Sequence, residues 1–250
     1  MLSSPNIINW HQLLLMMVMI LLIGNNVTLQ PCNGLAAPQK TPTTYNYFAY
    51  GSNMASSTMI NLRKLSPLAS SAAILPAHTL RFNIPGAPLV EPSSASVEPI
   101  DSMDKVMDVD TIIERETLVH GVLYKLTEED FASVCRTEGV PFAYSLHRCR
   151  VIPYSGDGQR AGERKLDEVN MFSNEWGVPA FSLRAATKKW RRGKDIPPSQ
   201  SYINVMIRGA KEFALDASYL EKLQQIEAGR TFPSDGMAEE ILRRAEERTN

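Results

Sequence analysis

An aromatic run that ends in a glycine turn is the part of this chain most typical of a ligand site. It comprises Tyr47-Phe48-Ala49-Tyr50-Gly51-Ser52-Asn53-Met54. Tyrosine and phenylalanine favour a half-buried pleated surface, so residues 45–50 are predicted to form a strand. Gly51 allows a close approach of the backbone to a ligand, and Ser52 or Asn53 can cap a following helix. Free N–H groups at a helix start attract negative charge, which favours a site for an anionic or carbonyl group. The tripeptide Gly-Ser-Asn is equally compatible with a plain turn.

Several other catalytic and binding patterns do not fit the sequence. Ser52 does not lie in a G-x-S-x-G elbow, which argues against an α/β-hydrolase nucleophile. The 4 histidines show no H-E-x-x-H or comparable spacing, so no metal site is predicted. A net charge of −1 gives no argument for a nucleic-acid partner. The basic run 188–194 could contact RNA or anionic lipid, but such a run is more often a solvated loop.

Five blocks, in order along the chain, resemble the γ-glutamylcyclotransferase family. The first is the aromatic run with its glycine turn. The others are Pro-Ala-His-Thr-Leu-Arg-Phe-Asn at 76–83, Gly-Val-Leu-Tyr-Lys-Leu at 121–126, Thr-Glu-Gly-Val at 137–140, and a helical part within 198–223. The resemblance covers about residues 45–228, and its specificity lies in the order of the blocks.

The resemblance implies an intramolecular reaction. The α-amine of a γ-glutamyl group attacks its own γ-carbonyl, which gives 5-oxoproline and releases the attached amine. Such an enzyme mainly folds the substrate into a ring-closing shape, and one carboxylate can move the proton. The resemblance gives this acid–base role to Glu138, with no metal or cofactor. It assigns substrate contacts to Tyr47, Phe48, Ala49, Tyr50, Gly51, Ser52 and Tyr202. The helical spacing of Tyr202 also fits a core residue.

Three interpretations of the function stay open at this point. The first is a lyase that acts on γ-glutamyl amino acids or peptides. The second keeps the chemistry but takes glutathione or a γ-glutamylamine. The third is a non-catalytic module that binds γ-glutamyl ligands, against which the intact Glu138 argues. A homodimer is compatible with the resemblance.

The elements that must position these residues indicate an α+β fold. Helices after Ser199 and Asp216 cluster late in the chain, and Thr127 begins an earlier one in nearly capping-box fashion. Strands are predicted at 45–50, 72–84 with an interruption at Pro76, 118–126, 142–154 and 180–186, with a short helix after Met54 and a turn at 84–88. This order indicates helices packed against a small mixed sheet or barrel.

The first 39 residues differ from the rest because they contain no Asp, Glu, Lys or Arg. Their apolar run, Leu13 to Ile23, would span about 16 Å as a helix, too short for a hydrocarbon core of about 30 Å. We therefore predict a leader at 1–36, cleaved after Ala36, and no stable membrane span in the mature protein. A secretory or a plastid destination and a retained anchor stay open. The family resemblance by itself implies the cytosol.

Two further segments are predicted to lie outside the core of the domain. Residues 91–117 hold no steady period and are rich in Ser, Asp, Glu and Pro, which predicts an inserted flexible loop. Residues 155–165 resemble a mobile hairpin end, and 229–250 are predicted to form a charged terminal helix or tail. Cys135 and Cys149, the cysteines beyond the leader, do not make a disulfide framework.

Overall fold

A computed structural model describes residues 43–100, 118–158 and 177–231 of the chain. The predicted leader and residues 101–117 of the predicted insertion lie outside these described residues, as do residues 159–165 and nearly all of the predicted tail. All described residues belong to a unit that spans Pro42–Asn250.

Strands and short helices alternate along the described chain. The strands are β1 (Thr44–Ala49), β2 (Ala69–Leu75), β3 (His78–Ala87), β4 (Glu91–Pro99), β5 (Val119–Thr127), β6 (Tyr144–Pro153) and β7 (Val178–Ala185). The α-helices are α1 (Glu128–Thr137), α2 (Lys188–Arg191), α3 (Gln200–Glu212) and α4 (Ala217–Gln224). A 3-10 turn (Ser52–Met54) and a π-helical turn (Ser57–Leu62) follow β1, where the sequence predicts one short helix.

Five strands close into a barrel in the order β1-β5-β2-β6-β7. Most neighbours are antiparallel, but β1 and β7 run parallel where the barrel closes, with Tyr47 opposite Phe181. Strands β3 and β4 form a separate two-stranded antiparallel sheet. Fully buried side chains such as Phe48, Leu126 and Met206 join the barrel to the late helices in one core. The predicted α+β class, with helices around a small mixed barrel, is confirmed.

Three helices begin at the capping residues that the sequence identifies. The side chains of Thr127, Ser199 and Asp216 accept hydrogen bonds from backbone N–H groups in the first turns of α1, α3 and α4. Each bond satisfies a donor that the helix itself leaves without a partner. In the described part of the chain, no helix has the length and apolar character of a membrane span.

Two predictions about the region after β2 are wrong. The predicted turn at 84–88 is mostly strand, because β3 continues to Ala87 through an irregularity in register between Arg81 and Ile84. The predicted insertion begins too early, because Glu91–Pro99 is strand β4. The polar composition that suggested a loop is accommodated by tertiary contacts, since Ser93 donates a hydrogen bond to the Ile196 carbonyl at 2.6 Å.

Gly209 sets the distance between α3 and the 3-10 turn that follows β1. A Cβ at this position would lie 2.6 Å from the Ala55 nitrogen and 2.6 Å from the Met54 carbonyl carbon. Gly209→Ala should therefore destabilise the protein: overpacking costs about 1–3 kcal/mol, against about 1 kcal/mol gained in helix propensity. Denaturant unfolding measures the effect. Lys211→Ala, at an exposed position of the same helix, is the matched control, and a Gly209→Ala variant as stable as wild type would contradict this packing.

Candidate active site

Strand β1 brings the aromatic run into the interior of the protein. Tyr47, Phe48, Ala49, Tyr50 and Gly51 are all buried. The chain then turns at Gly51 and continues at once into the 3-10 turn. The predicted strand and glycine turn are therefore present, and Asn53, two residues after Gly51, contacts the candidate catalytic residue Glu138.

Glu138 lies at the C-terminal end of α1, where the helix stops. Its backbone N–H still donates to the Val134 carbonyl at 2.9 Å, and Gly139 then adopts φ +66°, a conformation that ends a helix readily in glycine. The side chain of Glu138 is only 13% exposed. This junction directs the carboxylate inward, toward the glycine turn.

The carboxylate of Glu138 is held by two residues from the segment after β1. The Asn53 side-chain nitrogen donates a hydrogen bond to Glu138 Oε1 at 2.9 Å. The Arg63 guanidinium forms an ion pair with the same oxygen and also hydrogen-bonds the Thr137 hydroxyl. The structure thus joins Glu138 to a segment 85 positions earlier in the sequence.

Asn53 is the centre of this network. Its Nδ2 also donates to the Tyr47 hydroxyl at 2.9 Å, and its Oδ1 accepts from Arg63 Nε at 3.0 Å. These contacts determine which way the amide points, because only the nitrogen can donate to a carboxylate. Strand β1, the turn and the end of α1 therefore form one hydrogen-bonded unit.

Four tyrosines surround this unit: Tyr47, Tyr50, Tyr144 and Tyr202. Burial raises the pKa of each hydroxyl, and the negative charge of Glu138 raises it further, which places all four near the carboxylate. The pKa of Tyr202 is raised to about 12. At neutral pH the four hydroxyls remain protonated, so they can act as hydrogen-bond donors.

Strand β4 packs against three of these hydroxyls through one residue, Ala95. The Ala95 carbonyl accepts from Tyr144 at 2.9 Å and from Tyr50 at 3.4 Å. The Ala95 N–H donates to the Tyr202 hydroxyl at 3.3 Å. Tyr202 lies against the turn, since a Cβ on Gly51 would be 2.8 Å from its hydroxyl.

The structure brings together Glu138, the glycine turn and Tyr202, all named from the sequence. Sequence reasoning did not assign a site role to Asn53, Arg63, Tyr144 or Ala95. For Asn53 a signal existed, because it directly follows the turn and was considered only as a helix cap. For Ala95 no signal existed, because the polar composition of residues 91–117 predicts a loop where the structure has strand β4. In the described ranges, no group of three or more His, Cys, Asp or Glu residues could hold a metal ion, and Cys135 and Cys149 are free thiols.

The sequence and the fold both have known relatives. Residues 118–223 match the AIG2-like family. A gamma-glutamyl cyclotransferase of Clonostachys rogersoniana is 31% identical over 161 residues, which cover 63% of this chain and 80% of that protein. One of Claviceps purpurea is 30% identical over 172 residues, which cover 69% of this chain and 65% of that protein. The chain therefore spans just under two thirds of the length of the Claviceps relative.

Two solved structures share the fold. An uncharacterized human protein aligns with a TM-score of 0.52 at 21% identity and covers 80% of this chain and 98% of its own. A gamma-glutamyl cyclotransferase aligns with a TM-score of 0.51 at 21% identity, and the alignment covers 81% of this chain and 99% of that protein. Together with the sequence relatives, this agreement shows that the chain belongs to the gamma-glutamyl cyclotransferase family.

Proposed function

We propose that this protein is a γ-glutamylcyclotransferase in which Glu138 is the general acid and base. The observation that carries the proposal is the position of the Glu138 carboxylate. It is largely buried, and it accepts a hydrogen bond from Asn53, the residue that directly follows Ser52 of the glycine turn. A carboxylate beside a turn of backbone N–H groups has the parts that ring closure of a γ-glutamyl group requires.

The reaction needs one bond to form and one to break. The α-nitrogen of the substrate bonds to its own γ-carbon, and the bond from that carbon to the departing nitrogen breaks. The α-ammonium group loses one proton to water. Glu138 takes a second proton from the attacking nitrogen and gives it to the departing nitrogen, so the ring nitrogen keeps one hydrogen and the enzyme ends unchanged. Holding both reacting groups of one molecule in a folded shape supplies much of the rate enhancement.

In this proposal, the turn after β1 binds oxygen atoms of the substrate. The backbone at Gly51 and Ser52 contacts the γ-carbonyl, which gains negative charge as the ring closes, or the fixed α-carboxylate. The residues just before this turn line the site in this proposal: Tyr47, Phe48, Ala49 and Tyr50. Tyr202, packed against Gly51, supplies an aromatic contact to the substrate.

The substrate class follows from the chemistry of ring closure. The residues named act on the γ-glutamyl part alone, so the proposed substrates are γ-glutamyl amino acids and peptides. The names of the fungal relatives support the γ-glutamyl specificity. The released group is an amine or amino acid.

A direct assay tests the proposal and separates the competing interpretations. The full chain is incubated with γ-glutamyl-alanine, glutathione or ε-(γ-glutamyl)-lysine, and 5-oxoproline is measured by mass spectrometry. We expect 5-oxoproline to form in a one-to-one ratio with the released amine. A preference for glutathione or the lysine conjugate would identify the leaving group. Saturable binding of all three without any 5-oxoproline would overturn the enzyme proposal and indicate a ligand-binding module.

A further inference from the structure

We propose that the two oxygens of Glu138 have different tasks. Oε1 is held by an anchor formed by Asn53 and Arg63, and Oε2 is the atom that transfers the proton. Asn53 and Arg63 are then positioning residues for catalysis. This inference rests on the proposed cyclotransferase function and adds to it the device that aims the carboxylate.

The contacts of the carboxylate are strongly asymmetric. Both the Asn53 nitrogen and the Arg63 guanidinium bind Oε1. Oε2 makes no hydrogen bond or ion pair with any residue in the described ranges. An oxygen occupied by two donors is a poor proton acceptor, so proton transfer falls to Oε2.

The anchor is itself rigid because its two members hold each other. Arg63 Nε donates to Asn53 Oδ1 at 3.0 Å, which turns the Asn53 nitrogen toward Glu138. A flipped amide would place its oxygen against a carboxylate oxygen, which is repulsive. Arg63 also hydrogen-bonds Thr137, the neighbour of Glu138, so the guanidinium is attached to the end of α1 as well as to the carboxylate.

Fixing one oxygen determines the position of the other. The terminal torsion of a glutamate side chain is broad, so an unanchored carboxylate would place its oxygens over a wide arc. With Oε1 held from one side, Oε2 has one position. A general base must lie about 2.6–3.2 Å from the proton it takes, and a misplacement of about 1 Å can cost about 10²-fold in rate.

Proton transfer through Oε2 balances in both steps. The α-ammonium group first loses one proton to water, and the resulting amine gives a second proton to Oε2 as its nitrogen bonds to the γ-carbon, which leaves one hydrogen on the ring nitrogen. The O–H formed on Oε2 then gives the same proton to the departing nitrogen as its bond to the γ-carbon breaks. Oε1 stays bound to Asn53 and Arg63 throughout, so the carboxylate need not rotate between the two steps.

The test compares kcat and KM in variants of Arg63, with whichever γ-glutamyl substrate the wild type turns over. Arg63→Gln removes the charge and the fixed fork of donors, and we expect kcat to fall about 10–100-fold while KM changes less than about 3-fold. Arg63→Lys keeps the charge but loses the fork, so an intermediate kcat is expected. The control is Arg208→Gln, at an exposed position of α3, with kcat equal to wild type.

Chemical rescue distinguishes positioning from structural support. In Arg63→Ala, guanidinium chloride at millimolar concentration should restore part of the lost kcat, because the free cation can occupy the place of the side chain beside Oε1. Under the same conditions it should leave Glu138→Gln and wild type unchanged. A variant that had merely lost fold stability would not recover kcat at this concentration of the salt, which is far too low to change stability.

The outcomes separate this inference from the proposed function. An active wild type whose Arg63→Gln variant keeps its kcat would overturn the anchoring role alone. A loss of activity in Arg63→Gln and Arg63→Ala that follows the folded fraction measured by circular dichroism, with no rescue, would also overturn it. A wild type that releases no 5-oxoproline from any substrate would overturn both proposals.

Discussion

Replacing Glu138 by glutamine should lower turnover by about 10²–10⁴-fold, the range typical of lost general acid–base catalysis. Glutamine keeps the size of the side chain, and its carbonyl oxygen can still accept from Asn53 and Arg63 in the place of Oε1. What it loses is the ability to take a proton. We expect the loss in kcat, with the substrate bound about as well as in wild type.

The measurement is 5-oxoproline release together with calorimetric binding of a γ-glutamyl substrate. Glu138→Ala should show a similar loss of turnover, which separates the missing proton acceptor from any new contact made by the amide. Glu129→Gln, an exposed carboxylate in the first turn of the same helix, is the control and should be fully active. A Glu138→Gln variant with near wild-type turnover would leave the Gly51 turn as a binding loop without catalysis.

Local patterns predicted those parts of the fold that depend on neighbouring residues. Thr127, Ser199 and Asp216 were identified as helix caps because a cap bonds to N–H groups two or three residues later in the chain. Strand β1 was identified because tyrosine and phenylalanine favour a pleated, half-buried surface. In these cases the interaction that decides the local structure joins residues that are close in sequence.

Strand β4 was missed because its stabilising contacts come from distant segments. Glu98 is buried, which composition alone would exclude for a strand interior. In the structure Arg184 of β7 donates to Glu98 Oε2 at 2.6 Å, and the Ser96 hydroxyl donates to Oε1 at 3.0 Å. A buried carboxylate is tolerated when it is paired and hydrogen-bonded. Nothing within residues 91–99 identifies Arg184 as the partner.

The candidate site likewise combines residues that local patterns identify with residues that only tertiary contacts bring together. The glycine turn could be identified from its own residues, and Glu138 from an ordered resemblance. The anchor formed by Asn53 and Arg63 could not be predicted, because it requires the turn after β1 and the end of α1 to meet. That meeting is a property of the barrel, in which β1 pairs with β5 and β5 leads directly into α1.

Replacing Gly51 by valine should damage both binding and turnover, unlike any change at Glu138. The backbone at Gly51 has φ −109°, which other residues can adopt, so the cost does not come from backbone strain. It comes from contact: a Cβ would lie 2.8 Å from the Tyr202 hydroxyl and 3.6 Å from the Ala95 Cβ. Because Tyr202 is held by the Ala95 N–H, it cannot move without losing that bond.

We expect Gly51→Val to raise KM and to lower kcat/KM by about 10²-fold, the scale of a misplacement of about 1 Å. Stability should fall by about 1–3 kcal/mol from overpacking. The assay is steady-state 5-oxoproline release, with denaturant unfolding measured in parallel.

A double variant separates crowding from loss of the substrate contact. Tyr202→Phe removes the oxygen that a side chain at position 51 would meet, so Gly51→Ala combined with Tyr202→Phe should be more stable than the sum of the single changes. If the Gly51 turn and Tyr202 both contact substrate, this recovered stability brings no recovery in KM. A double variant with wild-type KM would mean that the backbone at Gly51 does not hold the γ-glutamyl group and that Tyr202 is a packing residue.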